Sequence, residues 1–456
     1  MIKDDTIAAI ATAPGTGAIA IIRLSGENSI KIVEKFFKSK SKKKLSEQKA
    51  NTIHFGEIID NNKIIDEVLV SVFRAPHSYT GEYSVEISCH GSVFIQQKIL
   101  EITTKNGARL ADPGEYTMRA FLNGKLDLSQ AEAVADLIAS KSEAARKVAM
   151  SQLKGGFSDE LQVLRSELVN FVSLIELELD FSEEDVEFAD RTQLTELITK
   201  IRNKIQTLTN SFDYGNAIKN GIPVAIVGQP NVGKSTLLNT LLKEDKALVS
   251  DIAGTTRDSI EDIISINGIL FRFIDTAGLR HTDDTIENLG IERTIEKVQK
   301  AEIVLYLIDA SIERKAELYD KIKPYLEEKK LIIVLNKMDK AVLHLNPTDF
   351  NGSEIVEVSA KHKTNITNLE NALVKATSFS TFDENDIIIT NARHFAALNH
   401  SFEASERVIS AIEQGLSGDL LSFDIREMLT YLGEITGEVT NEEILGNIFE
   451  NFCIGK

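Results

Sequence analysis

Val224-Ala225-Ile226-Val227-Gly228-Gln229-Pro230-Asn231-Val232-Gly233-Lys234-Ser235 decides how the middle of this chain is read. An apolar run of strand type passes without a break into G-x-x-x-x-G-K-S, and Thr236-Leu237-Leu238-Asn239 continues as a helix. Glycines let backbone N–H groups curl around phosphates, and the N-terminus of the following helix adds positive potential. In that frame Lys234 reaches the β- and γ-phosphates and Ser235 offers a hydroxyl to Mg2+. Asn231, Val232, Gly233 and Thr236 complete the nucleotide-contacting run. The bare pattern has false positives, and the strand–loop–helix setting removes most of them.

Three more motifs follow in order, each at the carboxyl end of an apolar strand. Phe271 to Ile274 leads into Asp275-Thr276-Ala277-Gly278, where Asp275 can hold Mg2+ through water and Gly278 can sense a γ-phosphate. Leu331 to Leu335 leads into Asn336-Lys337-Met338-Asp339. The Asp339 carboxylate matches the two N–H donors on the edge of guanine, and adenine cannot supply that pairing, so the wrong base leaves a buried acceptor unpaired. Glu354 to Val358 leads into Ser359-Ala360-Lys361, similar to the last base-contacting loop of GTPases. Each tetrapeptide alone is weak. The ordered series implies GTP as the ligand.

Between the first two motifs stands Ser250-Asp251-Ile252-Ala253-Gly254-Thr255-Thr256-Arg257-Asp258, in which Thr256 is the expected second hydroxyl on Mg2+. The stretch resembles the switch loop of the Era and Der GTPases. Ras-like proteins carry a water-orienting glutamine after the second motif; here that place is Leu279, so other groups must supply the transition-state charge. Asn231 with the carbonyl-rich loop resembles GTPases that bind potassium in place of an arginine finger, with Asn231, Ser250, Ile252 and Thr255 as the expected K+ ligands. By residue type alone Asn231 is equally a turn residue.

Outside this segment the chain reads differently. Its 456 residues suffice for about three domains. A net charge of −18 argues against binding nucleic acid by general phosphate neutralisation. Two cysteines, Cys89 and Cys453, build neither a disulfide framework nor a zinc site. The start, Met1-Ile2-Lys3-Asp4-Asp5, has no secretory pattern, and no apolar run is long enough to span a bilayer, so a cytoplasmic protein without membrane attachment is expected. Residues 1–125 carry short strand-like runs (Ile7–Ile10, Ala18–Leu24, Val68–Phe73, Ser84–Ile87) separated by turns such as Asn61-Asn62, with one helix near Ser92–Lys105. The lysine-rich run Lys38–Lys49 reads as a solvated, mobile loop. From Leu126 the apolar spacing becomes helical, breaks at Gly221-Ile222-Pro223, and resumes after about residue 380. Thr440 and Glu443 suggest a capping box for the last helix. The fold class expected is therefore multidomain α/β: an N-terminal α+β domain (1–125), a helical domain in two parts (126–220 and 381–456), and an inserted Ras-like P-loop domain (221–380).

Phe121-Leu122-Asn123-Gly124-Lys125-Leu126-Asp127-Leu128, Gln130-Ala131-Glu132-Ala133, Asp275-Thr276-Ala277-Gly278-Leu279-Arg280 and Phe452-Cys453-Ile454-Gly455-Lys456 resemble one family along the whole chain, the MnmE (TrmE) tRNA-modification GTPases. The resemblance implies a homodimer working on tRNA with the FAD-dependent protein MnmG (GidA). Together they install an aminomethyl or carboxymethylaminomethyl group on C5 of wobble uridine, with carbon from 5-formyl- or 5,10-methylene-tetrahydrofolate. It implies a folate-binding-like, dimer-forming N-terminal domain. Arg23, Glu86, Lys125 and Lys456 match the folate contacts, Glu287 matches the glutamate that orients water through a second water, and Cys453 matches a C-terminal cysteine considered reactive. Residue type alone makes Arg23 and Lys125 surface charges, Glu86 a solvated strand residue and Glu287 a first-turn helix acid. Cys89 and His90 read as structural. The alternative from another class is an Era- or Der-like switch GTPase of ribosome assembly.

Overall fold

The computed structural model describes residues 5–180, 191–244, 262–274, 287–312, 317–327, 329–342, 350, 352–377, 387–440, 442–450 and 452–455. The chain folds into two compact units. One holds residues 1–138, 152–194 and 410–456, the other residues 139–151 and 195–409. The division runs through the segments expected to be helical on both flanks of the nucleotide domain.

The first unit contains a seven-stranded sheet: β1 (Ile7–Ile10), β2 (Ile19–Ser25), β3 (Phe37–Ser39), β4 (Thr52–Asp60), β5 (Lys63–Phe73), β6 (Ser84–His90) and β7 (Arg109–Leu110), in the order β3-β4-β5-β6-β2-β1-β7. Alternation explains its faces. Val68, Val70 and Val72 of β5 are buried while Leu69 between them is 47% exposed, the period-two pattern of a sheet covered on one side. The Asn61-Asn62 turn joins β4 to β5 with both residues at positive φ, +47° and +62°, a backbone whose twist matches that of paired strands. The helix expected near Ser92–Lys105 runs Val93–Lys105 and buries Ile99 and Ile102 against the sheet.

One expectation fails here. The run Lys38–Lys49 is not a mobile loop throughout: it begins in β3 and contains a 3-10 turn, Leu45–Glu47, whose Leu45 is buried in the core. Lys40 bonds to Glu57 across the strand pair. The lysines conceal the one apolar residue that anchors the segment.

Arg119, 2% exposed at its side chain, pairs with Asp5 (2.8 Å), Glu115 (2.9 Å) and Glu82 (3.2 Å). Three carboxylates around one guanidinium satisfy its fork, which is the condition for burying such a charge. Downstream, the long helix Gly156–Asp180 packs on Gly418–Thr436, and Arg165 donates to the Leu429 carbonyl at 3.1 Å and pairs with Glu438 at 2.6 Å.

In the second unit a six-stranded sheet comprises β8 (Ile222–Gly228), β9 (Asp262–Ile266), β10 (Ile269–Phe273), β11 (Ile303–Asp309), β12 (Lys330–Asn336) and β13 (Glu354–Glu357), ordered β13-β12-β11-β8-β10-β9. All neighbours are parallel except β9 and β10. Residues 303–307 of β11 are buried without alternation, as expected when both faces of a parallel sheet are covered. Because β8 lies between β10 and β11, the connections diverge at its carboxyl end and leave a crevice there. The fold is multidomain α/β.

The helix Phe212–Asn220 belongs to this unit and packs closely on the backbone at Ile389. A Cβ on Gly215 would stand 2.0 Å from the Ile389 carbonyl oxygen. Helix propensity favours alanine over glycine by ~1 kcal/mol, whereas overpacking against fixed backbone costs ~1–3 kcal/mol or more. Gly215→Ala is therefore expected to lower Tm. Gly446→Ala, in the helix Glu442–Phe449 with nothing within 4 Å of the added carbon, is expected to hold or raise it. Thermal melts of the two variants beside the parent check this pair; the opposite order would overturn the role given to Gly215.

Candidate nucleotide-binding site

The phosphate loop runs from the end of β8 to the helix Lys234–Glu244. Asn231 and Gly233 take left-handed φ values of +62° and +97°, the curl that turns successive N–H groups toward one point. The Lys234 ammonium bends back over the loop and donates to the carbonyls of Gly228 and Gln229, each at 2.8 Å. Burial first, and the charge of Lys297 second, bring its pKa down to about 8. Gly233 admits no side chain, since a Cβ there would lie 2.3 Å from Asn336 Nδ2.

That amide belongs to the second loop. Asn336 is 2% exposed, ends β12, donates to the Val232 carbonyl at 2.8 Å and accepts from the Ala360 N–H at 3.0 Å. One side chain thus ties the phosphate loop, its own loop and the Ser359–Lys361 loop together. Lys337, at φ +66°, donates to the Asn231 carbonyl at 2.9 Å. Asp339 accepts from Ser359 Oγ at 2.6 Å, and that bond is the first cause holding its carboxyl below the usual range. Thr240 adds a further tie, donating to the Ala360 carbonyl at 3.0 Å.

Three of the four motifs expected from the sequence therefore converge at the carboxyl ends of β8, β12 and β13. Ser250 to Thr256 and Asp275 to Gly278 lie outside the described residues, as does Leu279. Glu287 is the first residue of the helix Glu287–Lys300. Two residues here escaped sequence reading. Asp309 ends β11 and pairs with Lys337 at 2.6 Å, and Ser311 donates to Asp309 through N at 2.9 Å and Oγ at 2.6 Å. The signal was present, because the apolar run Leu305–Ile308 ends in an acid just as Phe271–Ile274 does. A cavity of about 860 Å³ lies away from these loops, at the opposite end of β8, lined by Asn210, Asp213, Gly221, Arg272 and Glu302.

In the first unit, Arg23 on β2 faces Glu86 on β6 in register, with Nε and Nη2 bonded to Oε1 at 2.9 and 2.8 Å. Their side chains are only 18% and 23% exposed, so neither is the solvated charge that residue type suggested. The Arg23 Nη1 also donates to the Gly455 carbonyl at 3.4 Å, and the guanidinium stands 5.7 Å from the Tyr79 ring. Lys125 is exposed as expected and donates to the Pro76 carbonyl in the same loop as Tyr79, at 3.1 Å. Lys456 lies outside the described residues. Cys453 is exposed and its carbonyl accepts from the Gly114 N–H at 3.5 Å. Cys89 is buried as expected, its thiol pushed up to about 11 by burial and the nearby Asp66. His90 bonds to Asp66 through its ring at 2.6 Å.

Two family profiles match: the MnmE helical domain over residues 128–453, and the GTP-binding protein TrmE N-terminus over residues 6–125. The chain belongs to the MnmE family. Curated MnmE proteins named tRNA modification GTPase are 56% identical in Bacteroides thetaiotaomicron and 53% identical in Flavobacterium johnsoniae, each alignment covering 100% of both chains. A solved structure of Era from Aquifex aeolicus bound to GDP and AlF4− is 30% identical, with a TM-score of 0.26, over 40% of this chain and 66% of that one. As an MnmE, the chain is a GTP-binding GTPase of tRNA modification. No described helix is long and apolar enough to cross a membrane.

The lowered pKa of Lys234 is expected to make nucleotide binding depend on pH. Phosphates stabilise the protonated form, so binding raises a pKa that stands at about 8 in the chain alone. Affinity for GDP is expected to be full below pH 8, to weaken above it, and to be accompanied there by proton uptake. Calorimetry at about pH 8.5 in two buffers of different ionisation enthalpy measures that uptake; identical heats would exclude Lys234 as the group responsible.

Proposed function

We propose that this chain is the GTP-hydrolysing subunit of a tRNA-modifying complex that adds an aminomethyl or carboxymethylaminomethyl group to C5 of wobble uridine. The carbon comes from a tetrahydrofolate one-carbon unit, 5-formyl or 5,10-methylene, and the FAD-dependent MnmG is the partner. The observation that carries this reading is the meeting of Arg23, Glu86 and the Gly455 carbonyl, with Tyr79 near the guanidinium and Lys125 bonded to the loop that carries Tyr79, in the unit that holds the N-terminal sheet. The donor set suits folate: Glu86, with Arg23 bonded to it, for the polar edge of the pterin, and Lys125 and Lys456 for the glutamate tail. Bound there, folate supplies the one-carbon unit. The residues bind and orient it, and the exposed Cys453 thiol stands on the adjoining tail.

The same sheet supports a homodimer. Ile19, Ile53, Phe55 and Leu69 remain 67%, 65%, 48% and 47% exposed on the face that also carries Arg23 and Glu86. An apolar face of this kind is a place for a second copy. In domain terms, residues 1–125 form the folate-binding and dimer-forming domain. Residues 126–220 and 381–456 form the helical domain, and 221–380 the inserted nucleotide domain.

In the nucleotide domain Lys234 neutralises the β- and γ-phosphates, Ser235 and Thr256 hold Mg2+, and Asp339 reads guanine. With Leu279 where a glutamine would orient water, Glu287 takes that role. K+ held by Asn231, Ser250, Ile252 and Thr255 supplies the positive charge. Asn231 fits this use, since it is exposed on the phosphate loop, where an ion can reach it. GTP turnover is expected to be several-fold faster in K+ than in Na+ at equal ionic strength; equal rates would remove the potassium site.

Mass spectrometry of tRNA nucleosides from cells with and without the gene tests the modification itself. The aminomethyl-type groups on wobble uridine should vanish and return with the wild-type gene. Unchanged tRNA with accumulating ribosomal precursors would favour the ribosome-assembly switch instead.

A further inference from the structure

We infer that Asp309 is a positioning residue for guanine-nucleotide binding, holding the Lys337 ammonium against the phosphate loop so that the base-binding and phosphate-binding loops move as one. Strands β11 and β12 pair in parallel with Asp309 opposite Asn336, which sets the carboxylate beside the first residues of the Asn336–Asp339 loop. Its two oxygens have separate duties. Oδ2 accepts from Lys337 Nζ at 2.6 Å, while Oδ1 is fixed by Ser311 N and Oγ at 2.9 and 2.6 Å. Lys337 in turn donates to the Asn231 carbonyl at 2.9 Å, on the rim of the phosphate loop.

The two lysines of the site are therefore treated differently. Lys234 donates to two neutral carbonyls, and its whole charge remains for the phosphates. Lys337 has its charge matched by a carboxylate with 9% side-chain exposure, so it acts as a strut between loops. Holding a lysine side chain in one position costs rotamer entropy. The Asn231 carbonyl, a single neutral acceptor, offsets only part of that; the ion pair with the Asp309 carboxylate supplies the rest.

The test uses the full-length protein and the release of a fluorescent GDP analogue in stopped flow. Asp309→Asn keeps the shape and removes the charge. It is expected to speed GDP release about ten- to a hundredfold, the equivalent of one charge-assisted hydrogen bond, with kcat at saturating GTP within about twofold of the parent. Lys337→Ala should speed GDP release at least as much, and the double variant should release GDP no faster than Lys337→Ala alone, because both act through one contact. A parental release rate in Asp309→Asn overturns the inference, and so do effects that multiply in the double variant. If Asp309→Asn does not fold, Ser311→Ala, which loosens the same carboxylate, is expected to speed release severalfold, and a parental rate there overturns it equally. A purely architectural role would lower Tm and leave the release rate of the folded protein unchanged.

Discussion

One buried amide organises the nucleotide half of this molecule. Asn336 sits where three loops meet, giving a hydrogen to the Val232 carbonyl and taking one from the Ala360 N–H. Each of those backbone groups is buried and would cost about 1–3 kcal/mol if left without a partner. The amide is the right size to serve both at once, and Gly233 must lack a side chain to let it in. The phosphate loop, the Asn336–Asp339 loop and the Ser359–Lys361 loop come from strands far apart in sequence; this bond makes their relative position a property of the core.

The N-terminal sheet solves a different problem with charge. Arg119 is sealed among Asp5, Glu82 and Glu115, with its fork fully occupied, and serves as framework. Arg23 is held by one carboxylate, a tail carbonyl and two aromatic rings, with part of its surface open. Two arginines of one domain thus differ in how many of their donors are already committed. That difference separates a cation sealed on every side from one whose surface is still partly open.

Much of this could be read from the chain beforehand. Strand–loop–helix order around Gly228–Ser235 and the apolar runs ending in Asn336 and Ser359 pointed to both the sheet and the convergence of their loops, because parallel strands bring their carboxyl ends to one edge. Helical spacing located Val93–Lys105 nearly to the residue. What stayed hidden depended on partners distant in sequence. Nothing local to Arg23 announces Glu86 sixty-three residues later. Asp309 drew no reading from the sequence, and its pairing with Lys337 appears only when β11 and β12 lie in register. The lysine-rich stretch misled for the opposite reason, since its composition spoke of solvent while Leu45 fixed it to the core and β3 paired its start with β4.

The order in which the units are threaded has a consequence for synthesis. Residues 195–409 fall in one unit almost without interruption, whereas the other needs residues 1–138, 152–194 and 410–456. On the ribosome, the nucleotide-binding loops have every partner described here by the time Ala360 and its strand have emerged. Arg165 and Leu128 must wait for Leu429 and Phe449. Translation that stops after the nucleotide domain would leave a half able to recognise guanine attached to a half whose helices expose the faces meant for the missing segment. Such a fragment would invite chaperones and proteases.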